Sequence, residues 1–171
     1  MKRKHTENRL LEYNHIMKEN DNVYREIAKT MGLPESSFWI LYMLRTDYTE
    51  PVQSEICLCL YEPKQTVNSA LKKMETEGYL DLVPGNDWRS KKILLTEKGI
   101  RLCERTVDKV IEMELQALEE LSEDEQEQFL SLFQKYTDSL KMIYDKNTWN
   151  ILGNCETTKF SKFHIQIIQL Y

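Results

Sequence analysis

Between Pro63 and Gly78 the apolar residues Val67, Ala70, Leu71 and Met74 recur at i, i+3, i+4 and i+7, the stripe of a helix with one buried side. Gln65, Asn68, Ser69, Lys72 and Thr76 repeat the same spacing on the opposite side. An ordinary solvated face would mix Glu with Lys; this one carries amides, hydroxyls and a lysine. Such groups bond to base edges and phosphates. Pro63 suits a first helical turn and Gly78 a helix stop. Two β-prone runs then flank Pro84-Gly85-Asn86-Asp87, a hairpin signal, with Arg89, Lys91 and Lys92 just past the tip. A polar-faced helix followed by a basic hairpin is the layout of a winged helix-turn-helix. The helix fits a major groove, and the hairpin can set an arginine in the neighbouring minor groove.

The flanking patterns predict further helices. Residues 7–31 carry an irregular apolar face of Leu10, Leu11, Tyr13, Met17, Tyr24, Ile27, Ala28 and Met31, with a bend or break at Asn20-Asp21-Asn22 and a stop at Gly32-Leu33-Pro34. Ser36 or Ser37 can cap a second helix, Phe38–Leu44, apolar on every side and therefore buried all round. After a loop at 46–51, Val52, Ile56, Cys59 and Leu60 give a short helix its inward stripe. With the turn at 61–63 and the polar-faced helix, this makes the helix-turn-helix. Thr96 can cap a long helix from Glu97 to about Glu120, and Ser122-Glu-Asp-Glu125 reads as a capping box for a last helix ending near 146. That helix lines up Phe129, Leu132, Phe133, Tyr136, Leu140, Ile143 and Tyr144. The small winged domain cannot cover both terminal stripes, so the surplus, together with helix 7–31, implies a helical dimer interface.

The expected fold is therefore mainly α with a small β-hairpin wing. Residues 1–34 form an N-terminal dimerisation helix, 35–99 a winged helix-turn-helix, 100–146 C-terminal dimerisation helices, and 147–171 an extension of unassigned role.

Charge refines this picture. The net charge of −5 over 171 residues is unhelpful to a nucleic-acid binder, but its distribution matters more. Val110–Gln134 holds no Lys or Arg and eight acidic residues, a solvated helical surface that cannot face DNA. Pro63–Lys92 has six basic residues against four acidic ones. Hydrophobic residues at 41% suffice for a core, and few Gly and Pro favour long helices. No run of 18 apolar residues suggests a membrane span, and the N-terminus lacks the apolar core of a signal peptide. The four cysteines form no secreted-type framework, so a reducing cytoplasm is the expected setting. Cys57, Cys59 and Cys103 read as small buried thiols; His5, His15 and His164 are scattered, and no metal site or cofactor is expected. No nucleophile motif, phosphate loop or metal spacing points to an enzyme.

Several stretches resemble the MarR family of bacterial transcriptional regulators. They are Gln53–Leu60, Gln65–Gly78, Asp87-Trp-Arg89 and Leu95-Thr-Glu-Lys-Gly99, with a looser likeness over about residues 7–145. The resemblance implies a homodimer that binds a pseudo-palindromic operator in double-stranded DNA and usually represses nearby genes. It also implies release by a small aromatic ligand in many members and cysteine oxidation in others. By position, Lys64, Gln65, Thr66, Asn68, Ser69, Lys72 and Lys73 match the recognition helix. Asp87, Arg89, Lys91 and Lys92 match the wing, with Arg89 reaching the minor groove and Asp87 steadying a basic neighbour. Asn68 and Ser69 depart from the family's usual Ser or Thr and Arg, which bears on the operator sequence. Tyr13, His15, Trp39 and Tyr42 lie on helices that would flank a ligand cleft, though packing is the plainer role for each. A winged-helix adaptor that binds only protein is the alternative; the basic wing beside a polar helix face argues against it.

Overall fold

The structure is a computed structural model that describes residues 2–46, 51–60, 62–85 and 91–151, with side chains from 3 to 147 within those ranges. Among the described residues the order is α1 (Lys2–Thr30), α2 (Glu35–Thr46), α3 (Gln53–Cys59), α4 (Lys64–Thr76), β1 (Leu80–Pro84), β2 (Lys91–Leu95), α5 (Glu97–Arg105), α6 (Val107–Glu119) and α7 (Glu123–Ile151). This is the expected class, helices carrying one antiparallel hairpin. The chain divides into two compact units, Met1–Val110 and Ile111–Tyr171.

In the first unit α2 forms the centre, as its all-round apolar pattern requires. Ser37 through Met43 are all buried. Tyr24 of α1 packs on Trp39 with ring centroids 5.3 Å apart, and Trp39 meets Phe38 and Tyr42 edge-on at 5.1 and 5.6 Å. The helix starts earlier than expected. The Phe38 N–H donates to the Pro34 carbonyl at 2.9 Å, so Ser36 and Ser37 lie inside the first turn and cap nothing. Proline, with no N–H and a preset φ, both closes the preceding segment and opens this helix.

α1 begins at Lys2, five residues before the expected start, and runs unbroken through Asn20-Asp21-Asn22. The Arg3–Glu7 pair ties the added residues to the expected helix. Burial of Met17 and Ala28 on either side of the polar triplet keeps the helix in register across it. Gly32, at φ +69°, ends it, with Gly32 N–H on Lys29 O and Leu33 N–H on Ala28 O.

Ile56 in α3 and Leu60 at its C-cap are buried as expected, but Cys57 and Cys59, expected as buried thiols, are half-buried on the short helix. The hairpin pairs Leu80 with Leu95 through Pro84 with Lys91. The 46–51 stretch is more than a loop at its end. Ile93 N–H donates to Pro51 O at 2.9 Å and Val52 bridges Lys92, so β2 is covered on its second edge as well.

The long helix expected from Glu97 to Glu120 is two helices. Thr106, at φ −128° and ψ −94°, separates α5 from α6. Its buried hydroxyl donates to Leu102 O at 2.6 Å, and its carbonyl accepts from Lys109 N–H to start α6. Asp108, in the new first turn, receives both arms of the Arg45 guanidinium of α2 at 2.7 Å each. This fork holds the restart in place.

The second unit contains the remainder of α6 and all of α7. The capping box is as expected: Ser122 N–H and hydroxyl both donate to the Glu125 carboxylate, at 2.9 and 2.8 Å. Those two bonds, the backbone one first, hold the Glu125 carboxyl below its usual range. Gln126 closes the end of α6 by donating to Leu118 O and Leu121 O. α7 passes its expected end near 146 and continues to Ile151. Along it Phe129, Leu132, Tyr136, Leu140, Ile143 and Tyr144 are exposed, Leu132 by 64%. No helix of the described residues is long and apolar enough to cross a membrane.

Candidate nucleic-acid interface

Three buried residues orient α4. Val67, Leu71 and Met74 face the core, which fixes the other side outward. Lys64, Gln65, Thr66, Ser69, Lys72 and Lys73 are exposed on it, and Asn68 sits half-buried at the border. Pro63 is the cap residue: its carbonyl accepts from Thr66 and Val67 N–H at 2.8 and 3.2 Å. Ser69 and Thr76 donate their hydroxyls back to Gln65 O and Lys72 O, at 2.8 and 2.9 Å. Their lone pairs stay outward, but their protons are committed to the helix.

The far end of α4 is tied down by residues a linear reading does not connect with it. Gly78, at φ +74°, ends the helix where expected, with Gly78 N–H on Glu75 O and Tyr79 N–H on Met74 O. Thr96 caps α5 by accepting from Gly99 N–H at 3.1 Å, and its hydroxyl donates to Gly78 O at 2.7 Å. Lys98 donates to Glu77 O at 2.6 Å and lies over the Tyr79 ring, 4.6 Å from its centroid. A cation there also meets the negative end of the α4 dipole. A β-carbon on Gly99 would overlap the Tyr79 carbonyl oxygen. The Leu-Thr-Glu-Lys-Gly string is thus the anchor of the polar-faced helix. The sequence signalled it only as a match; its task needed the fold.

On the hairpin, Lys91 is exposed and Lys92 half-buried at the start of β2. Asp87 and Arg89, the expected wing pair, lie outside the described residues. The same holds for the extension from 152 onward, including Cys155 and His164.

Of the residues expected to flank a ligand cleft, Trp39 and Tyr42 are brought together and buried, Tyr13 is half-buried on α1 and His15 is exposed. Burial pushes the Cys57 thiol up against a smaller downward pull from Lys64, and pushes Cys103 up to about 11. Both are neutral thiols near pH 7. Among the described residues no three of His, Cys, Asp and Glu gather as a metal site.

No protein-family model matches the chain. It is similar to the HTH-type transcriptional regulator YwoH of Bacillus subtilis, 29% identical over 111 residues that span 65% of this chain and 80% of YwoH. Among solved structures it is similar to S. aureus MepR in a DNA complex, at 26% identity and TM-score 0.58, over 75% of this chain and 94% of MepR. A MarR/EmrR family transcriptional regulator from Acinetobacter is also 26% identical, at TM-score 0.56, over 82% of this chain and 96% of that one. Several of the structural neighbours are MarR family regulators, and the curated relatives are HTH-type transcriptional regulators.

Proposed function

We propose that this winged-helix chain of the MarR type is a homodimeric DNA-binding transcriptional regulator, acting as a repressor on a pseudo-palindromic operator. The observation that carries the reading is the division of α4. Its apolar side is locked into the core while six amide, hydroxyl and ammonium side chains stand exposed on the other. Gln65, Thr66, Asn68 and Ser69 face the base edges. Lys64, Lys72, Lys73, Lys91 and Lys92 contact phosphates. Asp87 and Arg89 complete the wing, with Arg89 in the minor groove. The exposed apolar rows of α1 and α7 pair two copies, which sets the two α4 helices about one DNA turn, roughly 34 Å, apart. Operator occupancy then blocks transcription of the adjacent genes in the cytoplasm.

A small aromatic ligand relieves repression by favouring a dimer with the wrong helix spacing. Trp39 and Tyr42 are buried against Phe38 and Tyr24, so a ligand that reaches them must part α1 from α2. Salicylate-like compounds titrated into a fluorescent operator complex should weaken it; indifference to every such compound removes this arm.

The test of the main reading is binding to the DNA upstream of the protein's own gene, followed by fluorescence anisotropy at several salt concentrations. Affinity should fall linearly on a log–log plot, with a slope of about −0.9 for each phosphate contacted. A protein-only adaptor would show no such binding.

A further inference from the structure

Among the described residues two buried side-chain atoms have no hydrogen-bond partner, Asn20 Nδ2 and Asn68 Oδ1. A buried carbonyl without a donor is costly, and each case in a folded protein asks for a reason. Asn20 lies in the second half of α1, on a different helix from the polar face of α4. Asn68 lies on that face, between buried Val67 and exposed Ser69. A helix border position next to the core would be better filled by Ala or Leu on both propensity and burial. Folding therefore does not explain an asparagine there.

Its chemistry does. Reading adenine from the major groove takes a donor and an acceptor side by side, which a carboxamide supplies. On α4 the hydroxyl protons of Ser69 and Thr76 are already given to the helix backbone. Lysines offer donors alone. Gln65 and Asn68 are the carboxamides of the face. Gln65 is exposed, so water satisfies it in the free protein and it must shed that water to bind. Asn68 Oδ1 has no water to shed, and turning outward gives it a bond it lacked. Between the two, Asn68 gains more on entering a groove.

We infer that Asn68 is the adenine-discriminating residue of this protein, held with its amide oxygen unsatisfied until DNA satisfies it. The inference rests on the regulator reading above and deepens it.

The experiment compares the full-length wild type with Asn68→Ala and Asn68→Leu, using Gln65→Ala as a reference. Operators come from selection on randomised duplexes, and each half-site position is then replaced by every other base. Both Asn68 variants should melt at or above the wild-type temperature without DNA. They should bind the selected operator about tenfold or more weakly. They should also lose the preference for adenine at one position per half-site while keeping the rest. Gln65→Ala should keep that adenine preference. A lower melting temperature in both Asn68 variants overturns the inference, because the amide would then be a structural bond. An unchanged base profile in Asn68→Ala overturns it as well. A wild type that selects no duplex instead sinks the regulator reading, and the melting comparison still decides whether Asn68 is carried at a cost to stability.

Discussion

Gly99 stands in the first turn of α5, where alanine would ordinarily be the better helix former by about 1 kcal/mol. The Tyr79 carbonyl oxygen occupies the space a β-carbon needs, so the sign reverses. Gly99→Ala should cost about 3 kcal/mol, read as a lower urea midpoint. A variant as stable as wild type would mean the approach relaxes at no cost. Glu125 makes a second residue-scale case. Two bonds from Ser122 hold its carboxyl below the unfolded value, so its contribution is present above the unfolded pKa. The contribution is lost as the pH falls through the lower folded value. Glu125→Gln should therefore melt earlier at pH 7 and show a shallower loss of melting temperature between pH 5 and pH 3. Equal slopes for the two proteins would show that the box adds no acid-side stability. Both residues were visible in the sequence to different degrees. The Ser122–Glu125 spacing announces its own bonds, because they are local. Gly99 announces a small residue, but the atom that forbids a larger one comes from twenty positions upstream.

Elements show where pattern reading succeeds and where it runs out. The period of α4 and its stop at Gly78 follow from neighbours within one helical turn, and both are found in place, while Pro63, expected in the first turn, is the cap residue just before it. The interruption at Thr106 was hidden, because Cys103, Val107 and Val110 keep an unbroken apolar rhythm across it and all three are buried. Neither Gly nor Pro marks the spot. What breaks the helix is a buried hydroxyl turned on Leu102 O and an ion pair from α2, and both depend on tertiary placement. The Pro51–Val52 pairing with β2 was hidden for a different reason: two residues are too few to show a period. The extra turns of α1 and α7 continue helical sequence with no breaker to stop it, so their ends are set by chain chemistry that periodicity of apolar residues does not report. For the candidate interface, the polar face and its lysines on α4 were legible. The idle oxygen of Asn68 was not, since exposure at a helix border depends on what lies beneath.

For the whole molecule the weightiest expectation is pairing. Leu10, Leu11 and Ile16 on α1 and Leu132, Leu140 and Ile143 on α7 are exposed apolar side chains, more than a lone soluble chain usually leaves to water. Under the proposed function they are covered by a second copy. Leu132→Asp should give a monomer by sedimentation with helicity retained. Its affinity for a full operator should fall roughly a hundredfold or more, because two linked half-site contacts become one. A wild-type protein that sediments as a monomer at micromolar concentration would remove the basis for that expectation.

The fastening of α4 at one end has a practical corollary. Thr96, Lys98 and Gly99 grip the carboxyl-terminal turn around Glu77, Gly78 and Tyr79, whereas in the stretch from Lys64 to Ser69 Val67 is the fully buried residue. The leading half can therefore be rewritten without loosening its moorings. Transplanting residues 64–66 and 68–69 from a sister protein should retarget the molecule to new promoters while its melting curve stays put, which makes this scaffold a candidate for building sensors with chosen addresses.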